Sequence, residues 1–188
     1  MGNKVIFMQP EKFYHVFNRA CGFEKLFLSD SNFRFFLDKF DEILNGYVSL
    51  YAYCLMPNHF HFLIKTLNLE KFNNPISIYS RKFSSFFNSY AKSFNKFNDR
   101  KGSLFSQNFK RKEIDNLEYL RSVIVYIHQN PLKHGYVEKI GEWKYSSYKE
   151  IINGEFNYCH GGHEVIEFFG NKDILKFCHK ITVNIDLD

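Results

Sequence analysis

PNHFHFLIK, residues 57–65, sets two imidazoles one residue apart inside an otherwise apolar run. Side chains alternate across a strand, so His59 and His61 share one face while Phe60, Phe62 and Ile64 share the other. One face is therefore hydrocarbon for a core, and the opposite face carries nitrogen donors. Two such imidazoles can converge on one cation, or can be surface or hydrogen-bonded core residues. The neighbouring segments have to decide.

Working outward, YVSLYAYCLM (47–56) reads as a second strand. Pro57 makes the junction either an antiparallel hairpin or a break in one long strand. FYHVFNRA (13–20) is rich in aromatic and β-branched residues and reads as a first strand. SDSNFRFFLDKFDEILNG (29–46) reads as a helix, with Ser and Asp at its start and Gly46 as its stop. In residues 76–98, Phe83, Phe86, Phe87, Tyr90, Phe94 and Phe97 recur at three- and four-residue steps, a packing stripe on a helix. SLFSQNFKRKEI (103–114) is expected to be a strand. NLEYLRSVIVYIHQN (116–130) is expected to be a helix, capped by Asn116 and ended by Pro131. KHGYV (133–137) reads as a turn and WKYSSYKEI (143–151) as a short helical segment. This β-α-β-β-α-β order predicts an α+β fold, a ferredoxin-like or RRM-like antiparallel sheet with helices packed on it. We expect one domain over residues 1–151 and an acidic C-terminal extension over 152–188.

The bulk composition sets the broad class. The 188 residues are 45% hydrophobic and 24% charged, and the 23 phenylalanines fall mostly in the periodic segments, as core filler does. No run approaches the roughly 18 apolar residues of a membrane span, and the N-terminus has no apolar signal region. The four cysteines, Cys21, Cys54, Cys159 and Cys178, have no paired spacing and read as reduced thiols. A cytoplasmic protein is expected. Charge is segregated: residues 81–112 hold nine Lys/Arg against Asp99 alone, whereas residues 155–188 hold six acids against three lysines. A basic middle suggests a polyanionic partner.

In VIVYIHQNP (123–131), Leu117, Leu120, Ile124 and Ile127 make the natural core stripe of their helix. Tyr126 lies about 100° off that stripe, and Asn130 follows four residues later on its own face. A phenol and an amide laid against two imidazoles supply the parts for phosphoryl chemistry.

FYHVFNRA, CLMPNHFHFLIK, GSLFSQNFK, YIHQNPLKHGYV and WKYSSYKE, in that order, make the chain resemble the HUH (His-hydrophobic-His) single-tyrosine transposases, and among them the REP-associated tyrosine transposases. The resemblance implies that His59 and His61 are metal ligands, Asn130 is the third ligand and Tyr126 is the nucleophile. It implies Mg²⁺ or Mn²⁺ as cofactor, which suits this donor set. It further implies single-stranded or hairpin DNA as partner, with cleavage and strand transfer through a 5′-phosphotyrosine. Arg19, Arg81, Lys82, Lys92, Lys96, Lys110, Arg111 and Lys112 are the candidates for holding DNA. A homodimer is among the assemblies that related enzymes adopt. The alternative is a domesticated module that binds nucleic-acid hairpins without cutting them. Tyr119, seven residues before Tyr126, is a rival nucleophile. His128 and His134 are read as surface or phosphate-contacting residues, and CHGGH (159–163) as a fragment that could serve a structural zinc.

Overall fold

The alternation of aromatic and β-branched residues becomes a four-stranded sheet in a computed structural model that describes residues 7–69, 74–106 and 108–181. Gln107, within one of the quoted motifs, and residues 182–188 of the expected extension lie outside the described residues. The elements run β1 (Phe13–Arg19), α1 (Asp30–Leu44), β2 (Val48–Met56), β3 (His59–Thr66), α2 (Pro75–Phe97), β4 (Lys110–Ile114), α3 (Leu117–Lys133), α4 (Tyr148–Asn153), α5 (Gly162–Phe168) and α6 (Lys172–Cys178). The strands lie in the order β2-β3-β1-β4 and every neighbouring pair is antiparallel. This is the expected ferredoxin-like α+β arrangement. Among the described residues no helix is long and apolar enough to cross a membrane.

Pro57 and Asn58 form the turn of a hairpin, so the hairpin reading of the β2–β3 junction holds. Three boundaries differ from expectation, one of them at α4, which begins at Tyr148 rather than at residue 143. β4 begins at Lys110 rather than at residue 103, because the earlier residues meet the end of β1 only through a bridge between Ala20 and Phe105 and two nearby backbone bonds. α3 runs past Pro131 to Lys133. A proline lacks the amide that would bond one turn back, but here the helix has only two more residues to run. It ends where His134 donates its amide to Asn130 O and Gly135 adopts φ +69°.

Each sheet face follows from strand parity. Tyr14, Val16, Phe60, Phe62 and Ile64 are buried on the face covered by α1 and α2. Phe36 of α1 sits at the centre of that layer, its ring 4.7 Å from Tyr90, 4.8 Å from Phe86 and 5.1 Å from Phe60. Phe36→Ala is expected to lower unfolding stability by about 3–5 kcal/mol, the range for emptying a buried aromatic site. Denaturant titration checks this, and a loss below about 1 kcal/mol would mean the layer collapses around the gap.

The second face is covered over β2 and β3 by α3. That helix is buried from Val123 to Pro131, a broader face than the expected stripe, while Leu117 is exposed. The broad burial arises because α3 is packed on its outer side as well. The chain after α3 runs along the free edge of β2, with Leu55 N–H donating to Tyr145 O, Ser147 N–H to Tyr53 O and Gly161 N–H to Leu50 O. At Gly161 an added Cβ would lie 2.6 Å from the Tyr51 ring, so only glycine lets the backbone approach this closely. Ile151, Cys159, Val165, Phe169 and Leu175 join the same core as the sheet, so residues 152–181 are packed structure.

His128 is a correction: it is buried, not on the surface. His179 Nδ1–H donates to Leu175 O (2.7 Å), which leaves Nε2 to accept from His128 Nδ1–H (2.8 Å). His128 Nε2 then accepts from the Ser147 hydroxyl (2.7 Å), and Ser147 Oγ accepts from Tyr53 N–H (2.8 Å). Gln129 Nε2 adds bonds to His179 O and Ile181 O. This relay ties the last described helix to α3 and to β2.

Candidate functional site

Strand parity places His59 and His61 on the face that α3 covers. Their rings lie 5.2 Å apart, nearly perpendicular. Tyr126 presents its ring edge-on to His61 at 5.5 Å, and His134, one residue past the end of α3, meets His59 at 5.0 Å. Tyr126, Asn130 and position 134 are spaced by four, so they form one line along the helix, and Asn130 lies between the turns that meet the two histidines. Thus Tyr126 and both histidines come together, with Asn130 on the same helical line. Tyr119 faces a different partner, with Lys112 Nζ 5.7 Å from its ring.

His61 is buried, and its imidazole is held well below the usual pKa by burial and then by His15, His59 and His134. It is therefore neutral near pH 7, as a metal ligand must be. Both rings are engaged through Nδ1: His61 with His15 Nε2 at 3.0 Å, and His59 with Asn58 Oδ1 at 2.8 Å. A cation would then be taken by Nε2. Asn130 is buried and its Nδ2 donates to Tyr126 O (3.2 Å), so Oδ1 is the atom it can offer. Among the described residues no three His, Cys, Asp or Glu side chains are grouped to hold a metal. A cation here would accordingly need the amide oxygen and water beside the two imidazoles, and that donor set fits Mg²⁺ or Mn²⁺.

CHGGH does not form a cluster. Cys159 donates its thiol to Tyr51 O at 2.9 Å, His160 faces Asp41, and His163 pairs with Glu167.

The eight expected DNA-contacting cations divide between the two faces. Arg19, opposite His59, and Lys110 and Lys112, opposite Phe17 and His15, belong to the histidine face and are exposed. Arg111 points to the other face, half-buried over the Phe109 ring at 4.8 Å, where burial lowers its pKa. Arg81, Lys82, Lys92 and Lys96 ride on α2, which packs against that other face, and Lys82 lies over Tyr47 at 4.2 Å.

Three neighbours of the site were not foreseen. Lys133 Nζ sits 4.8 Å from the Tyr126 ring centroid, and its spacing of seven from Tyr126 is the signal that could have found it. His15 and Phe17 share the face through β1, with His15 4.7 Å from Phe17 and 6.1 Å from Tyr126. Their parity was readable, but the register of β1 against β3 was not.

No protein-family model matches the chain. A Haemophilus influenzae protein named "Putative REP-associated tyrosine transposase" is 29% identical over 107 residues, 55% of this chain and 61% of that protein. The chain thus spans less than two thirds of that relative's length. Among solved structures, a REP-associated tyrosine transposase bound to a REP hairpin superimposes with a TM-score of 0.62, covering 81% of this chain and 86% of that one at 17% identity. The resemblance read from the motifs is borne out by the curated relative in sequence and by the solved structure in fold.

Proposed function

From that likeness as premise, we propose that the chain is a transposase, a metal-dependent single-stranded DNA endonuclease and strand transferase acting on hairpin-containing DNA. The observation that carries the reading is Tyr126 set edge-on to the neutral, buried His61 at 5.5 Å, with His59 beside it. In this reading Tyr126 Oη attacks a backbone phosphorus and the bond to the 3′-oxygen breaks. The phenol loses its proton and the departing 3′-oxygen gains one, leaving a 5′-phosphotyrosine and a free 3′-OH. One phosphodiester is exchanged for another, so a second 3′-OH can reverse the step without ATP or hydrolysis. A divalent cation held by His59, His61 and Asn130 would supply charge neutralisation at the phosphate oxygens. Lys133, over the phenol ring, and Arg19, Lys110 and Lys112, on the same sheet face, would hold the DNA backbone. The hairpin in the complex of the structurally similar transposase supports a hairpin as substrate.

The cation assignment gives its own expectation. Replacing Lys110 and Lys112 together by glutamine should reduce the slope of log K against log salt for single-stranded DNA by about 1.4, at roughly 0.7 per lost phosphate contact. Replacing Arg81 and Lys92 should leave that slope unchanged. Equal effects from both pairs would mean that DNA also follows α2.

The test of the reading is end-labelled single-stranded DNA carrying hairpins from the DNA flanking the gene, incubated with Mg²⁺ or Mn²⁺ and run on a denaturing gel. A metal-dependent covalent protein–DNA adduct is expected. Cleavage without an adduct would replace the tyrosine with a water nucleophile. Tight binding without cleavage would favour the non-cleaving hairpin-binding module.

A further inference from the structure

His15 takes no part in the chemistry proposed above, yet it is fully buried and joined to His61 by a 3.0 Å bond between its Nε2 and His61 Nδ1. The two rings are nearly coplanar, 10° between planes. Phe17 lies parallel to His15 at 4.7 Å, and Tyr126 stands edge-on at 6.1 Å, so the ring is held in place from two sides.

Two neutral imidazoles that share one such bond have a single proton between them. If His15 Nε2 carries it, His61 must hold its own proton on Nε2, and that nitrogen has no lone pair for a cation. If His61 Nδ1 carries it, His61 Nε2 has the lone pair and His15 is protonated on Nδ1. His15 Nδ1 is buried and makes no hydrogen bond among the described residues, so no second bond fixes its tautomer. His15 can therefore carry its own proton on Nδ1, which leaves its Nε2 lone pair to accept from His61.

We infer that His15 is a positioning residue for the cation site: its Nε2 accepts the Nδ1 proton of His61 and so holds that ring in the tautomer that can ligate a divalent metal. This rests on the proposed role of His61 and extends it to a second residue. A parallel device acts on His59, whose Nδ1 donates to Asn58. Asn58 is exposed, so water can replace it. His15 lies where water does not reach, and its loss leaves a buried donor on His61 unmatched. Partners of ligating histidines typically carry 10–100-fold in metal affinity.

The test uses the full chain with histidine nitrogens labelled, together with Mn²⁺ titration followed by electron paramagnetic resonance. In the metal-free wild type, His61 is expected to carry its proton on Nδ1. Mn²⁺ binding should be abolished by His61→Ala, which tests the site itself. His15→Phe, which keeps the ring shape and removes the acceptor, should weaken Mn²⁺ binding by about 10-fold or more. His15→Gln, whose side-chain oxygen can accept the same proton, should restore most of it. His61 protonated on Nε2 both before and after Mn²⁺ addition would overturn the inference. So would unchanged affinity in His15→Phe while His61→Ala abolishes binding, an outcome that leaves the site standing. A wild type that binds no Mn²⁺ would overturn the cation site and the role of His15 together. Should His15→Phe fail to fold, the wild-type tautomer and the His15→Gln affinity still decide.

Discussion

Tyr126→Phe is expected to remove the covalent DNA adduct, a loss on the order of 10⁶-fold, as when a catalytic nucleophile is deleted. Tyr119→Phe is expected to leave the adduct intact. The two tyrosines sit on one helix, but seven residues at 1.5 Å rise separate them by about 10 Å along its axis. Only Tyr126 has His61 and His15 against its ring, and Lys133 lies over it at 4.8 Å. Tyr119 lies instead toward β4, with Lys112 as neighbour. The substitution to phenylalanine keeps the ring packing of a residue that is 5% exposed, so fold and hairpin binding should persist. Circular dichroism and a binding titration check that. An adduct that survives in Tyr126→Phe and vanishes in Tyr119→Phe would move the nucleophile to the other residue.

Acidification of the metal-free protein is expected to unfold it between pH 6.5 and pH 4. His179 is buried and bonded in its neutral form, and burial pushes its pKa down to about 4. Burial lowers His128 in the same direction, and His179 beside it adds to the effect. The unfolded chain takes up these protons near the ordinary histidine value of about 6.5. Below that pH the unfolded state binds more protons than the native one, so stability falls as pH falls, until the folded pKa is reached. For His179 alone the loss amounts to about 3 kcal/mol, at about 1.4 kcal/mol per pH unit. His15, pushed down to about 3 by burial and then by Lys112, adds a loss of the same sign. A domain has only about 5–15 kcal/mol to lose. Protonation would also place two donors face to face between His128 and His179. Trp143, which donates to Leu55 O at the β2 edge, is the reporter, and its fluorescence should change cooperatively in EDTA-containing buffer. A tertiary signal that stays native down to pH 4 would show that these histidines do not control acid stability.

How much of this was legible in the sequence depends on whether the signal is local. Strand parity in 57–65, the aromatic stripe of α2 as far as Phe94 and the four-residue step from Tyr126 to Asn130 are each contained in one segment, and each is found in the structure, whereas Phe97, at the last turn of α2, is exposed. His128 was misread because its partners, Ser147 and His179, lie on elements whose docking the helix pattern does not encode. His15 was passed over because its role depends on the register of β1 against β3. The lysines of α2 and β4 looked like one basic region in the linear sequence. The sheet separates them, since a strand and a helix that follow one another can still cover opposite faces. CHGGH looked like ligand spacing, but its first glycine, Gly161, meets a different need, which is room for the backbone to lie against the Tyr51 ring.

The strand order also sets when this protein can acquire its shape. β1 pairs on one side with β3, Phe13 opposite Lys65, and on the other with β4, Phe13 opposite Ile114. β1 thus waits for two strands made after it, and the longer closure is the slower, because loop entropy opposes it before any pairing rewards it. α3 then has to arrive before Tyr126 meets His61, and the His128–His179 relay can close only once residue 179 has been made. During elongation the histidine face is therefore assembled before the helix bearing the tyrosine, so a nascent chain carries the imidazoles well before it carries a nucleophile.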